Sequence, residues 1–162
     1  MQATIWTTFG SPVWVRFPLE NNILRIAYGG SIGKDFGLKG GGLSYAGWQA
    51  GLAGLDARPF THLTLRIRSE KGVAKPNFYL ADAVTRWPLR AKELPEINEE
   101  WQTLRLPLDH YAKWGIDLSH LDYLQLVFEW EEQSGTVYLD DIQFDRTEDQ
   151  GMEGNSEGGM SP

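Results

Sequence analysis

Leu63, Leu65 and Ile67 alternate with Thr64, Arg66 and Arg68, and this period of two constrains the chain more than any other feature. Successive side chains of an extended strand point to opposite faces, so such a run buries one face and solvates the other. The alternation recurs at Leu24, Ile26 and Tyr28, at Leu104, Leu106 and Leu108, and at Leu124, Leu126, Phe128 and Trp130. Weaker strands fit residues 43–46, 77–81 and 136–144. Gly29-Gly30, Gly40-Gly41-Gly42, Lys71-Gly72 and Ser134-Gly135 punctuate them as turns. Helix is confined to one turn over 109–114, with Asp109 as N-cap and Gly115 as stop, and a second over 119–122. Eight or so short strands without long helices predict an all-β fold, a two-sheet antiparallel β-sandwich from about residue 20 to 145. Leu65, Ile67, Leu106, Leu126 and Phe128 sit at the centres of the best strands and are the expected core.

A chain of 162 residues supports one hydrophobic core and is short for two domains. The final 18 residues, from Asp145 on, carry five acids, one Arg and no aromatic. Such a segment buries too little apolar surface to offset its ordering entropy. The expected organisation is therefore a β-sandwich binding domain over 1–145 and a disordered acidic tail over 146–162. Net charge is −7, and more than half of the excess lies in those final 18 residues. An acidic chain repels phosphate backbones and anionic lipid, which argues against nucleic acid and membrane-surface partners. No stretch approaches the roughly 18 apolar residues of a membrane span. The first ten residues, MQATIWTTFG, lack a basic region followed by an apolar run. The expected location is the cytoplasm or the cytoplasmic face of a membrane, or outside the cell if the first Met stands in for a removed leader.

Catalytic patterns fail one by one. There is no cysteine, which excludes disulfides, thiolate zinc sites and a Cys nucleophile. His62, His110 and His120 lack the short spacing of a preformed metal site. Gly29-Gly30-Ser31-Ile32-Gly33 matches the spelling of a Gly-x-Ser-x-Gly elbow, but no long helix pattern follows it, and a nucleophile elbow needs a strand–turn–helix setting. The stretch Gly-Gly-Ser-Ile-Gly-Lys-Asp at 29–35 resembles a phosphate loop, but Tyr28 stands where the first Gly belongs and Asp35 where Ser or Thr belongs. Glu99-Glu100 and Glu129, Glu131 and Glu132 cluster, but Glu131 and Glu132 lie beside a Ser-Gly turn where water keeps both ionised. A glycosidase needs two carboxylates across a cleft, one with a raised pKa. The expectation is a non-enzyme with no committed cofactor or metal.

Seven tryptophans carry the remaining information. Trp130 continues a buried strand face, and Trp101 starts a strand and is expected to pack across the sandwich. Trp48, Trp87 and Trp114 are each flanked by a breaker, namely Gly47, Pro88 and Gly115. Such positions fit strand ends and loops, where an indole presents a flat apolar face with one N–H donor. That face suits stacking on a sugar ring or anchoring a protein partner. The competing role is to cap the ends of the core. The expected ligand- or partner-binding residues are Trp48, Trp87 and Trp114.

Several stretches, in this order, resemble a known group: Gly42-Leu43-Ser44-Tyr45, Gly47-Trp48-Gln49-Ala50-Gly51-Leu52, Phe60-Thr61-His62-Leu63, WQTLRLPL at 101–108, Gly115-Ile116-Asp117-Leu118 and GTVYLDDI at 135–142. The chain resembles the carbohydrate-binding-module-like β-jelly rolls of the galactose-binding-domain-like superfamily. It is more distantly similar to the domain of the complex I intermediate-associated proteins. The resemblance implies a jelly roll that binds a glycan or a protein through exposed aromatics. It also implies a structural calcium in many relatives, for which Asp140 or Asp141 would be one ligand, although Ile5 to Phe17 supplies no acid for the other. The alternative role is an accessory or assembly subunit of a respiratory or photosynthetic membrane complex, with the same fold making protein contacts.

Overall fold

The computed structural model describes residues 2–7, 19–20, 23–28, 45–129 and 135–146. The strands are β1 Gln2–Thr7, β2 Leu19–Glu20, β3 Ile23–Tyr28, β4 Tyr45–Leu55, β5 His62–Ser69, β6 Asn77–Ala81, β7 Arg86–Leu89, β8 Gln102–Pro107, β9 Leu121–Glu129 and β10 Gly135–Asp145. One α-helix, α1, spans Leu108–Lys113. The strands form two five-stranded sheets, a front sheet ordered β1-β4-β9-β6-β7 and a back sheet ordered β2-β3-β10-β5-β8. Every pairing between named strands is antiparallel. Chain neighbours are mostly not sheet neighbours, because the chain crosses repeatedly between sheets, as a jelly roll does.

The alternating residues meet between the sheets. Leu63, Leu65 and Ile67 of β5 lie opposite Leu106, Leu104 and Gln102 of β8, while Ile67 also lies opposite Leu139 of β10. Phe78 and Leu80 of β6 lie opposite Leu126 and Leu124 of β9. All five expected core residues, Leu65, Ile67, Leu106, Leu126 and Phe128, are buried. The Tyr28 ring stacks on Phe128 and ties the sheets together.

Helix α1 closes one side of the sandwich between edge strands β7 and β8. Its Leu108 and Tyr111 are buried, and the Tyr111 hydroxyl donates to the Phe78 carbonyl at 3.0 Å. His110 Nε2 lies 3.0 Å from the Pro88 carbonyl. A carbonyl only accepts, so Nε2 carries the proton, and the bond engages an edge-strand group that would otherwise template aggregation.

Several sequence expectations need correction. The helix N-cap is Pro107 rather than Asp109, which falls in the first turn. Proline's fixed φ suits the entry from β8. Gly115, with φ +91, does end the helix in the left-handed conformation as expected. Residues 119–122 form no helical turn, since β9 begins at Leu121. Strands β1 and β7 were not expected, and β4 runs eleven residues rather than the short 43–46 segment. Trp130, Glu131, Glu132 and the tail over 147–162 lie outside the described residues.

The long β4 bends at a bulge between Gly51 and Leu55, where Ala53 and Gly54 have φ of 53° and 75°. The left-handed region costs an L-residue roughly 1–2 kcal/mol. Ala53 is exposed, so Ala53→Gly is expected to raise the unfolding free energy by about 1 kcal/mol. Gly54→Ala is expected to lower it by about 1–2 kcal/mol, because a new Cβ meets both the backbone penalty and the His120 ring, whose Nδ1 is 2.9 Å away. Urea titration of the two variants reads the opposite signs directly.

Candidate functional site

The structure separates the three tryptophans picked from the sequence. Trp48 is 3% exposed and faces the space between the sheets, opposite Leu126 of β9. The expectation of a surface indole there fails, because Gly47 lies inside β4 and does not end it. Trp87 is half-buried against the core on edge strand β7. Trp114 follows α1 and is 56% exposed. The Trp87 and Trp114 rings stack with centroids 4.4 Å apart and planes 18° apart. Trp101 also departs from expectation. It lies on the outer side of the back sheet, with the guanidinium groups of Arg66 and Arg68 5.1 and 5.4 Å from its ring.

The outer face of the front sheet carries residues that the sequence reading did not select. Because Trp48, Leu124, Leu126, Phe78 and Leu80 point inward, their strand neighbours point outward. The register aligns Gln49, Gln125, Tyr79 and Pro88 in one row across β4, β9, β6 and β7. The next row is Gly51, Tyr123, Ala81 and Arg86. Adjacent strands lie about 4.8 Å apart, so each row is a continuous band of side chains. Gly47 and Gly51 flank Gln49 on its own face and leave that amide without bulky neighbours along β4.

Two polar arrangements stand out in this band. Gln125 Nε2 donates to Gln49 Oε1 at 2.7 Å. Gln125 Oε1 has no hydrogen-bond partner, although the residue is only 6% exposed. An unpaired buried acceptor costs about 1–3 kcal/mol, so an amide kept there works against stability. Beside it, the Arg86 guanidinium lies 3.8 Å from the centre of the Tyr79 ring. Asn77, on the same face, is committed to the fold: its Oδ1 accepts the Ala91 N–H at 2.8 Å.

The outer face of the back sheet differs. Arg25 meets Glu70 at 3.4 Å, and Arg66 meets Asp140 and Asp141 at 4.0 and 3.8 Å. Arg68 lies over Tyr138 at 4.2 Å. Tyr138 donates to Glu70 at 2.6 Å, a hydrogen bond that with Arg25 holds the Glu70 carboxyl below its usual pKa. These are solvated pairs of small individual effect. Asp140 and Asp141, the calcium ligands implied by the resemblance, face Arg66, and no group of three His, Asp or Glu converges among the described residues. That arrangement does not fit a divalent cation, since Arg66 already supplies the positive charge. The histidines stay apart in separate contacts: His62 with Thr61, His110 with Pro88, and His120 3.8 Å from Asp122.

No protein-family model and no curated protein matches the chain. Solved structures do. A family 11 carbohydrate-binding module from Clostridium thermocellum, in complex with a β-1,3-1,4-mixed-linked tetrasaccharide, superposes with a TM-score of 0.67 at 16% identity, covering 89% of this chain and 88% of that one. A family 30 module of a cellulosomal cellulase from the same organism gives 0.66 at 13% identity, covering 89% and 91%. An exo-β-agarase gives 0.59 at 15% identity, covering 91% of this chain but 24% of the enzyme. At such identities the likeness speaks to fold, and the fold is a carbohydrate-binding-module-like jelly roll.

Proposed function

We propose that the protein is a non-catalytic glycan-binding module and that the outer face of its front sheet holds the sugar. The observation that carries this reading is the Gln49–Gln125 amide pair with its orphan acceptor. A sugar hydroxyl both donates and accepts, and the amide pair offers both functions side by side on one band. Gln49, the more open of the two, offers its amide to one hydroxyl, and Gln125 Oε1, closed to solvent in the unbound fold, accepts a hydrogen bond from a second once the side chain shifts outward. Tyr123, half-buried on β9 two residues from Gln125, supplies aromatic surface for the C–H face of a ring, while Tyr79 of β6 lies buried beneath Arg86 beside the pair. Few polar groups placed among aromatic ones is the general pattern of a small-molecule recognition site. Two solved proteins of like fold are described with a mixed-linked glucan and as an agarase, which selects the first probes.

The test is electrophoresis through gels containing mixed-linkage β-glucan, xylan or agarose. Wild-type protein is expected to be retarded in at least one neutral polysaccharide. Tyr123→Ala, at a half-buried surface position, is expected to relieve that retardation with little change in melting temperature, and Gln49→Ala is expected to relieve it while lowering the melting temperature, because the Gln125 amide N–H loses its acceptor. Free migration of the wild type in every gel, together with stable recovery of a protein partner, would assign the fold to protein binding instead.

A further inference from the structure

We infer that the Trp87–Trp114 stack is a second, separate sugar-stacking site, which binds one ring of a neutral pyranose chain on the open face of Trp114. This rests on the reading of the protein as a glycan binder. Among the residues whose burial is described, Trp114 is the sole exposed Trp, Tyr or Phe. One of its faces is taken by Trp87, and its exposure of 56% places the other in solvent.

The platform is held from below and from the side. Trp87 sits on β7 and packs against the core. The Trp114 backbone N–H donates to the Tyr111 carbonyl at 3.1 Å, and left-handed Gly115 turns the chain away behind it. Asp82 then ties the two segments together. Its carboxylate accepts the backbone N–H groups of Val84, Thr85 and Asp117 at 2.7, 2.6 and 2.6 Å. Burial alone would push its pKa up, but these three donors outweigh it and hold the group ionised. An aromatic fixed in this way loses little conformational entropy when a ligand lands on it.

The surroundings select the occupant. Asp109 and Lys113 pair at 3.2 Å on the same helix, and Asp117 binds Ser119 just beyond. The exposed apolar surface is therefore small, one indole with the Val84 side chain on the turn that Asp82 ties to it, and polar groups lie around it. A stable protein interface buries roughly 800 Å² per partner, whereas a whole aromatic side chain offers about 150–250 Å². A pyranose ring matches the smaller figure. Its C–H face meets the negative ring face, and its equatorial hydroxyls meet the polar rim.

The experiment compares a β-1,3-1,4-linked glucan tetrasaccharide with the mixed-linkage polymer, using calorimetry for the first and affinity electrophoresis for the second. Two sites on one polymer raise its apparent affinity by effective concentration. Trp114→Ala, at an exposed position, is expected to leave the tetrasaccharide affinity unchanged and to weaken polymer binding about tenfold or more. It should also abolish the part of the sugar-induced change in tryptophan emission that survives in Tyr123→Ala. Unchanged polymer binding in Trp114→Ala, with loss in Tyr123→Ala, would overturn the second site and leave the front-sheet reading standing. Loss of both ligands in Trp114→Ala, with normal binding in Tyr123→Ala, would overturn the front-sheet reading and show a single site at Trp114. A wild type that binds neither ligand nor any neutral polysaccharide overturns both.

Discussion

Trp48→Ala is expected to lower the unfolding free energy by about 3–5 kcal/mol, the cost of emptying a large aromatic site in a packed core. The indole is 3% exposed between the sheets, where it neighbours the buried Leu126 across β4 and β9. Its Nε1–H has no acceptor, so the residue is retained for volume and not for a hydrogen bond. Trp48→Phe removes that orphan donor and keeps an aromatic, and it is expected to cost far less than the alanine variant. Denaturant titration of the pair separates packing from polarity. A loss below 1 kcal/mol in Trp48→Ala would return Trp48 to the surface role suggested by its glycine neighbour.

Tyr111→Ala is expected to cost a similar 3–5 kcal/mol. Tyr111 is fully buried, and it joins α1 to the core through its ring and to β6 through its hydroxyl. Tyr111→Phe keeps the ring and removes only the bond to the Phe78 carbonyl, for an expected cost of about 0.5–1.5 kcal/mol. Burial, with a smaller contribution from Glu93, pushes the phenol well above its ordinary pKa. A group with a raised folded-state pKa stabilises fully below its unfolded value, near 10 for Tyr, and loses that effect as pH climbs beyond it. Wild-type stability should therefore decline in strong alkali, and Tyr111→Phe should flatten part of that decline.

The strands with clean alternation, such as 63–67 and 124–128, were legible because a half-buried strand must repeat every two residues. Strand β4 was not. Its sequence, YAGWQAGLAGL, holds three glycines, which local rules assign to turns. Here Gly47 and Gly51 sit in the ladder opposite Val127 and Tyr123, so pairing with β9 overrides the local preference. That misreading moved Trp48 to a loop and hid Gln49 on the outward phase. Gln125 was visible as the polar residue between Leu124 and Leu126, but its partner could not be named without the β4–β9 register. Trp114 was correctly placed at a chain break, whereas Trp87 lies inside β7, where Pro88 pairs with Tyr79 and does not end the strand. Their stacking depends on α1 crossing to β7, a long-range contact no local pattern encodes.

Gln125→Leu tests the front-sheet face most directly, because it sets stability against binding in one protein. The change removes a buried acceptor that has no partner, and the Gln49 amide that loses its bond is half-buried and can turn to water, so melting temperature should hold or rise. The same change deletes the atom assigned to the sugar hydroxyl, so calorimetry with the mixed-linked tetrasaccharide should show at least a tenfold loss of affinity, equivalent to about 1.4 kcal/mol. Stability kept and binding lost is the predicted result. Binding kept at wild-type strength in the folded variant would contradict the account and place the sugar elsewhere on the sandwich.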